Sequence, residues 1–464
     1  MTALAARRAL WIFAAICSFA GSHAFAFGPG CNLGLSQSPL RTCSAGGGVS
    51  RASGVGIFGA ARRRSLVPSG LAADGLRGVG MDATGIKGSA KIKVLESMKG
   101  VDPKEWDEVA LATTGVEKMN PFMSWAFLNA VEESRSAHPS TGWQPRHVVA
   151  YDSESGSLIG AVPLYLKSHS YGEYVFDNSW ARAYGSITRE PYYPKLQSCV
   201  PFSPVTGPRL LVRGETEEEQ EWIRSALAQA VCQLVDTMEE EQEWIRSALA
   251  QAVYQDTMGV SSAHVTFPAK REWELMGEQK WVQRTGIQYH WNNQGWQTFD
   301  DFLAALKQSK RKNIRSERSK VSKQGVKVHR LTGSAIEEKH WDAFYKFYTN
   351  TVDEHWGQAY LTRSFFSLLS RDMADNVLLI MAEEAFFSLL SRDMADNVLL
   401  IMAEEESTGE WVAGALNLVG GDCIYGRNWG CTKQFNSLHF ELCYYQAIDA
   451  AIEMKKDRVE AGAQ

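Results

Sequence analysis

Acidic residues are missing from the first 73 positions of this 464-residue chain, which contain seven arginines. The rest of the chain carries 41 basic against 53 acidic residues, a balance of −12 within an overall net charge of −5. A chain this acidic is not a general nucleic-acid-binding protein, so any polyanion must bind at a local basic surface. With 45% hydrophobic residues, the chain is long enough for two globular domains that each bury a core.

Cysteine spacing supports neither a disulfide framework nor a zinc site. Three of the eight cysteines lie in the acid-free segment, and the other five are scattered: Cys199, Cys232, Cys423, Cys431 and Cys443. There is no C-x-x-C pair and no Cys/His spacing typical of zinc ligands. We therefore expect reduced, mostly buried thiols and no structural metal.

Long apolar runs are also lacking, apart from a short one near the amino terminus. Arg7 and Arg8 precede an apolar stretch from Ala9 to Ala20 and a small-x-small cleavage site, which predicts a signal peptide over residues 1–26. The stretch is too short for a membrane span, so no transmembrane segment is expected in the mature chain. Residues 27–90 are poor in acids and rich in Gly, Ser, Ala and Arg, which is typical of a disordered transit peptide.

The junction between these two leader segments indicates a destination. A cut just before Phe27, followed by an arginine-rich segment without acids, resembles the bipartite plastid leader of algae with secondary plastids. The resemblance implies import into the plastid stroma, with plain secretion as the alternative.

One basic segment stands out from the acidic body. Between Lys307 and Arg330 there are ten Lys/Arg residues and one acidic residue. Four of the basic residues form a compact block: Lys310, Arg311, Lys312 and Arg315. The plain interpretation is a solvated helix face. The functional interpretation is a docking surface for a polyanion, namely a cofactor phosphate, RNA or an anionic lipid.

Cap residues predict that most of this basic segment is helical. Thr298 followed three residues later by Asp301 forms a capping-box pattern, and apolar residues then recur at helical spacing as far as Val321. Gly325 predicts the end of the helix, and residues 326–329 alternate like a short strand.

Alternating apolar residues predict a first mixed sheet in the amino-terminal half of the mature chain. Residues 147–151 and 158–166 form a predicted hairpin, and residues 171–177 a third extended run. Residues 289–291 are predicted to be among the strands that complete this sheet.

A proline-rich, aromatic stretch, residues 192–209, cannot form a regular element because three prolines fall within eight residues. Its aromatic residues favour the wall of a substrate cleft, with Tyr193 and Lys195 as binding candidates. A packed surface loop is the alternative.

Two segments are repeated letter for letter. Residues 217–231 recur at 239–253, and residues 365–384 recur at 386–405. Natural structural repeats keep a pattern while their letters drift, so one copy of each is interpreted as an insertion. The second repeat offers a sheet two identical helix–strand units for one position.

Candidate catalytic groups concentrate between residues 425 and 445. Tyr425, Arg427 and Trp429 alternate along a predicted strand and are expected to share one face. His439 and Glu441 follow at the start of a long predicted helix and point in nearly opposite directions, so each is a separate candidate base. The alternatives are a buried ion pair for Arg427, and helix electrostatics or core packing for His439 and Glu441.

The order helix, strand, hairpin, long helix, strand in the last third resembles half of a GNAT-type acyltransferase. Over residues 120 to 464 the chain resembles a predicted GNAT-like N-acyltransferase family labelled peptidogalycan-biosynthesis-like. The matching blocks are residues 120–122, 192–197, 201–209, 310–315, 356–362, 425–430, 438–446 and 460–464. The basic block followed by a glycine and a strand is also similar to the second-domain opening of Fem-type aminoacyl transferases, which use aminoacyl-tRNA.

This resemblance implies an α/β fold of mixed sheets with two tandem GNAT-like subdomains, residues 91–295 and 296–464. Trp356 and Tyr360 would line the wall of the cleft opposite Tyr425, or pack there. Both duplications interrupt family elements, and family members continue beyond Gln464, so the second subdomain is expected to be truncated at its carboxyl end.

GNAT-type transfer is a direct attack of an amine on a bound acyl thioester or ester. A base takes the amine proton, and a backbone N–H at a splayed strand stabilises the oxyanion. The sequence has no G-x-S-x-G nucleophile motif, in agreement with direct transfer, and no glycine-rich pyrophosphate loop of standard acetyltransferases. Glu441, His439 and Tyr425 are the catalytic candidates.

Three functions stay open. The favoured one is an N-acyltransferase that joins a small-molecule donor, acyl-CoA or an acyl carrier protein thioester, to an amine acceptor without a metal. The second is a transferase that depends on aminoacyl-tRNA, with the tRNA bound along the basic helix at 307–330. The third is a non-catalytic binding module that kept the fold.

Overall fold

A computed structural model describes residues 49–52, 55–58, 81–85, 88–248, 260–355, 359–375, 398–405 and 409–462. Three mixed or antiparallel sheets with helices packed against them form two subdomains. This is the α/β architecture that the sequence predicts. The predicted signal peptide, residues 1–26, lies outside the described residues.

Two sheets form the first subdomain in the described part of the chain. Three of the strands given next lie wholly within residues 27–90, the segment predicted to be a disordered transit peptide, and each pairs with strands of the folded body. Its strands are β1 (Val49–Ala52), β2 (Val55–Phe58), β3 (Met81–Gly85), β4 (Gly88–Leu95), β5 (Trp143–Pro145), β6 (His147–Asp152), β7 (Leu158–Val162), β8 (Tyr165–Lys167), β9 (Lys195–Ser198), β10 (Leu211–Val212), β11 (Ala263–Thr266) and β12 (Val282–Thr285). The orders are β10-β7-β6-β4-β3 and β12-β2-β11-β9-β8-β5, while β1 pairs with the sheet of the second subdomain.

The described residues of the first subdomain include five helices: α1 (Pro103–Thr114), α2 (Trp125–Glu133), α3 (Asn178–Thr188), α4 (Glu217–Ala248) and α5 (Lys270–Glu278). Helix α1 begins at Pro103 because the Asp102 carboxylate accepts hydrogen bonds from the Lys104 and Glu105 N–H groups and Pro103 occupies the first turn.

In the described residues of the second subdomain there are one sheet and six helical segments. The strands are β13 (Gln288–Asn292), β14 (Val326–Thr332), β15 (Val398–Glu405), β16 (Glu410–Val419), β17 (Cys423–Cys431) and β18 (Arg458–Glu460), in the order β1-β13-β18-β17-β16-β15-β14. The helices are α6 (Phe299–Ala305), α7 (Gln308–Lys323), α8 (Glu338–His355), α9 (Arg363–Asp375), α10 (Leu438–Phe440) and α11 (Gln446–Glu453), with a π-helical turn Glu441–Tyr445 joining the last two.

The structure corrects three predicted elements. Residues 171–177 form a loop rather than a strand. Hydrogen bonds from charged side chains hold this segment in place, instead of backbone pairing with a neighbouring strand. The predicted long helix breaks at Leu306–Lys307 into α6 and α7, although Thr298 and Asp301 form the predicted capping box. Strand β13 pairs with β18 and therefore belongs to the sheet of the second subdomain, not to a sheet of the first subdomain.

The duplicated segments are used asymmetrically. The first repeat continues as one 32-residue helix, α4, in which Ile223, Leu227 and Val231 of the first copy fill the core of the first subdomain. At the second repeat, α9 comes from the first copy and β15 from the second copy. Among the described residues, the first copy therefore supplies the helix and the second copy supplies the strand. Residues 376–397 between them lie outside the described part of the chain.

A shared core joins the two subdomains. Phe122 of the first subdomain packs edge-on against Tyr425 of β17, with ring centres 5.4 Å apart. The turn at Gly420 and Gly421 lies so close to the segment around Met119 that a side chain at either glycine would clash with backbone, and the Gly421 N–H donates to the Met119 carbonyl at 3.0 Å. The groups on β17 therefore face the first subdomain across a fixed junction.

Candidate functional site

Strands β17 and β18 diverge at the junction between the subdomains. They pair in parallel for three residues only, from Cys423 opposite Arg458 to Tyr425 opposite Glu460. Strand β18 ends there, whereas β17 continues to Cys431. The ladder between the two strands therefore ends before Arg427, although residues 461 and 462 still pass beside Gly426 and Arg427. We call this place, where β17 continues beyond its pairing with β18, the opening between β17 and β18.

Arg427 holds its guanidinium in this opening. The Nη1 atom donates to the Gly426 carbonyl at 2.8 Å, and the guanidinium carbon lies 4.6 Å from the centre of the Phe122 ring and 6.0 Å from that of Tyr425. The Nε and Nη2 atoms are shielded from solvent and have no hydrogen-bond partner among the described residues. Burial lowers the pKa of Arg427. A buried guanidinium with two unused donors is costly unless a bound group satisfies them.

Glu460 provides the opposite charge. Its side chain is 2% exposed and lies 3.7 Å from the Arg458 Nε atom and 3.9 Å from the His290 Nε2 atom. The Thr206 backbone N–H also interacts with the carboxylate, which leaves other acceptor positions of its two oxygens unused. Burial raises the pKa of Glu460, and the nearby Arg458 and Arg427 oppose that rise. Arg427 and Glu460 thus face one opening with hydrogen-bonding capacity left on both.

His290 does not neutralise this carboxylate. Burial, with Arg458 and Arg427 nearby, lowers the pKa of His290 to about 4, so the ring is neutral near pH 7. Its Nε2 atom lies 3.0 Å from the Gln288 side-chain oxygen, and the Gln288 amide nitrogen donates to the Pro204 carbonyl at 2.6 Å. The loop of the first subdomain therefore fixes one wall of the opening.

Sequence reasoning missed Glu460 as a site residue. The signal was an alternation of Arg458, Val459 and Glu460 in a short strand, where charged residues flank a buried valine. A buried carboxylate in such a strand requires a partner or a function.

Trp429 does not share a face with Tyr425 and Arg427, contrary to the prediction. The pairing of β16 with β17 shifts register between Ala415 and Asn417, where two residues of β16 span three of β17. This bulge turns Trp429 to the other side of the sheet, where its ring lies 5.2 Å from that of His439.

Glu441 and His439 also lie on that other side, and Leu438 and Leu442 beside them pack in a different core from Tyr425. The Glu441 carboxylate accepts from the Arg318 Nε atom at 3.2 Å and from Gln446 at 2.7 Å. It lines a groove of about 290 Å³ beside α7. The candidates between residues 425 and 445 are thus divided between two faces and do not form one site.

Lys195 and Tyr193 belong to a buried ion cluster in the first subdomain instead of a cleft wall. The Lys195 ammonium donates to Glu173 at 2.7 Å and to Asp177 at 2.6 Å, and the Tyr193 hydroxyl donates to Asp177 at 2.6 Å. Lys167, whose ammonium lies 3.3 Å from the centre of the Trp143 ring, completes the cluster 3.9 Å from Glu173. Since Lys195 is fully buried and already paired, it is structural.

Of the two aromatic residues predicted to line a cleft wall, only Tyr360 lies in the described part of the chain. Tyr360 stacks on Phe202, with ring centres 5.5 Å apart, and its N–H donates to the Tyr348 hydroxyl at 3.0 Å, so the described contacts are packing contacts. Trp356 lies outside the described residues.

The basic block on α7 contains structural and exposed members. Arg311 donates to carbonyls at the end of α6, the nearest being that of Ala304 at 3.1 Å, so it caps that helix rather than facing a ligand. Arg315 is exposed and pairs with Asp300 at 3.0 Å. Lys310 and Lys312 are exposed, and the described residues give neither of them an ion pair.

The model of the FemAB-like family, described as peptidoglycan biosynthesis/recognition, matches residues 97–385 and 383–464. The chain belongs to the FemAB-like family. The two matched ranges meet inside the second duplication. A crystal structure of FemX is similar over 78% of this chain and 88% of that chain, with 10% sequence identity and a TM-score of 0.39. No curated protein sequence matches the chain.

Membership of the FemAB-like family overturns the predicted donor. Fem-type transferases use aminoacyl-tRNA, so the prediction of an acyl-CoA or acyl carrier protein thioester was wrong. In the part of the chain that the structure describes, no three His, Cys, Asp or Glu side chains form a cluster that could hold a metal ion. Within the same ranges, no helix combines the length and the apolar character that crossing a bilayer requires.

Proposed function

We propose that this FemAB-like protein is an aminoacyl transferase that moves an amino acid from aminoacyl-tRNA to an amine acceptor at the opening between β17 and β18. The observation that carries the proposal is the pair Arg427 and Glu460, which face this opening with unused hydrogen-bonding atoms. Family membership supports the donor, and the pair lies at the junction between the two subdomains, where Arg427 contacts Phe122 of the first subdomain.

The chemistry of the two groups fits this transfer. The amine nitrogen attacks the ester carbonyl carbon, forming a C–N bond and placing negative charge on the carbonyl oxygen. The free N–H groups of Arg427 can donate to that oxyanion. The Glu460 carboxylate can accept the proton lost by the attacking amine.

Collapse of the tetrahedral intermediate breaks the ester C–O bond. The ribose oxygen of the tRNA leaves and takes up the proton held by Glu460, so that the proton count balances. The amide product and free tRNA remain, and the carboxylate of Glu460 is regenerated. The raised pKa of Glu460 brings its proton affinity closer to that of the groups it serves.

The exposed lysines of α7 are the proposed contact with the tRNA backbone. Lys310, Lys312, Lys320 and Lys323 are exposed on one 16-residue helix. Such a cationic face attracts a polyanion without base specificity, and its binding weakens steeply as salt rises.

An aminoacyl-transfer assay tests the proposal. The full chain is incubated with a pool of tRNAs charged with radioactive amino acids and a lysine-containing peptide as acceptor. Label is expected in the peptide, in amounts that depend on the amine. RNA binding without any transfer to the peptide or related amines would instead favour a non-catalytic module.

We further propose that the leader directs the protein to the plastid, because its signal segment is followed by an arginine-rich segment without acids. Residues 1–90 fused to a fluorescent protein should localise to the plastid stroma of an alga with a secondary plastid. Fluorescence in the medium would support secretion.

A further inference from the structure

A group of aromatic rings lies at the start of the C-terminal helix, on the face of the sheet opposite Arg427. The His439 ring is 5.2 Å from Trp429, 5.6 Å from Phe440 and 5.8 Å from Tyr444. Phe440 and Tyr444 lie 6.0 Å apart with their planes tilted by 34°. We name this group of four residues the ring cluster.

The helix turns the ring cluster outwards. Leu438, Glu441 and Leu442 point into the protein and are buried, so His439 and Phe440 occupy the outer side of the first turn. Phe440 is 50% exposed, so one face of its ring is open to a ligand. The proposed reaction uses none of these rings.

The carboxyl end of α7 abuts the ring cluster. The side chain of Gln324 donates to the Asn436 carbonyl at 3.1 Å and accepts from the Asn436 N–H at 3.0 Å. The exposed Lys320 and Lys323 in the last turn of α7 therefore lie near the start of the helix that carries Phe440. The last turn of α7, with its two lysines, thus lies beside the segment that leads into the ring cluster.

This combination suits single-stranded nucleic acid. Lysines bind phosphates, while a ring with an open face stacks on an unpaired base regardless of its identity. A bilayer fits less well, because Trp429 and Tyr444 are only partly exposed and the neighbours of Phe440 include polar imidazole and phenol groups. Duplex RNA would use the lysines but not the rings.

We propose that the ring cluster is a stacking platform for the unpaired 3′ end of the donor RNA, with Phe440 as its main contact. The inference rests on the proposed function, since the donor there is a tRNA. It adds a binding site that discriminates unpaired from paired RNA. The lysines of α7 would supply affinity, and the rings would supply this preference.

Fluorescence anisotropy with two labelled RNAs tests the platform. One probe is a 12-nucleotide single strand ending in CCA, and the other is a blunt 12-base-pair duplex. Phe440→Leu is expected to weaken single-strand binding about tenfold and duplex binding less than twofold, because base–aromatic stacking is lost. Phe176→Leu, at a ring 69% exposed in the first subdomain, is the matched control and should change neither.

A lysine variant separates the two contributions. Lys320→Ala combined with Lys323→Ala should weaken both probes equally and reduce the salt dependence of binding. Equal effects of Phe440→Leu on single strand and duplex, or no effect on either, would overturn the platform. Binding to phosphatidylglycerol vesicles that is lost in Phe440→Leu, with single-strand binding intact, would overturn it in favour of a lipid surface.

The outcomes also distinguish the platform from the proposed function. If the wild-type chain transfers amino acids but Phe440→Leu binds single strands normally, only the platform fails. If Phe440→Leu loses single-strand binding but the wild-type chain transfers nothing, the platform stands and the proposed function fails.

Discussion

Two groups of buried charges in this protein differ in one respect. In the ion cluster of the first subdomain, Lys195 touches both Glu173 and Asp177 at 2.7 Å or less. At the opening between β17 and β18, Arg427 and Glu460 leave donors and acceptors unused. Both groups are shielded from water, so burial alone does not identify the functional one. The Glu173 Oε1 atom of the ion cluster also lacks a hydrogen bond, so the difference lies in the cations. Lys195 donates to two carboxylates, whereas Arg427 donates to no carboxylate among the described residues. A fold retains a buried cation without such a partner only at a cost in stability.

Removal of Lys195 should have the largest effect on stability. Lys195→Met leaves two buried carboxylates without their shared cation, so we expect a loss of about 3–5 kcal/mol in the free energy of unfolding. Urea denaturation measures it. Lys99→Met, at an exposed lysine paired with Glu133, is the control and should cost less than about 1 kcal/mol. A loss from Lys195→Met as small as that of the control would mean that the cluster is not structural.

Removal of Arg427 should affect activity instead. Arg427→Met removes the proposed oxyanion donor, and we expect transfer to slow by about 10²–10³-fold. Its free energy of unfolding should stay the same or increase, because the lost charge was largely unpaired. Arg213→Met, at an exposed arginine, is the control for both measurements. Full activity in Arg427→Met would remove the opening as the reaction centre.

Glu460 should set the acidic limb of the pH–rate profile. Burial raises its pKa above the ordinary value of 4.5, and the base is the ionised form, so the rate should rise as pH increases through that raised pKa. Glu460→Gln should lower the rate by about 10²-fold and abolish this limb. Glu453→Gln, at an exposed carboxylate, should retain both. An unchanged limb in Glu460→Gln would assign the base to another group.

The second duplication should have the smallest effect. Deleting residues 376–396 joins Asp375 to Asn397 and restores the uninterrupted helix–strand sequence of a single copy. Because α9 and β15 already come from different copies, we expect the free energy of unfolding to change by less than about 1 kcal/mol. Circular dichroism and urea denaturation check this. An unfolded deletion variant would show that the extra copy has become part of the fold.

Local signals in the sequence predicted much of the fold. The capping box at Thr298 and the turn at Gly325 depend on neighbouring residues, so they appear in the structure as expected. The same reasoning identified Arg427 as a charged residue on an otherwise apolar strand.

Non-local contacts account for what the sequence did not predict. Alternation along a strand assumes an unbroken ladder, and the bulge opposite Ala415 that turns Trp429 away depends on the neighbouring strand. Lys195 looked like a binding residue because its partners, Glu173 and Asp177, lie in a segment predicted to be a strand. The position of Glu460 in the candidate site follows from the pairing of β18 with β17, which the sequence did not predict.

Binding of an uncleavable donor analogue tests the central claim most directly. The probe is an adenosine that carries its amino acid through a 3′ amide, and titration calorimetry measures its dissociation constant. We expect saturable binding to the wild-type chain that is at least about tenfold weaker in Arg427→Met, the loss expected for a charged hydrogen bond, and unchanged in Arg213→Met. Equal affinity of all three proteins would contradict the assignment of the opening between β17 and β18 as the aminoacyl site.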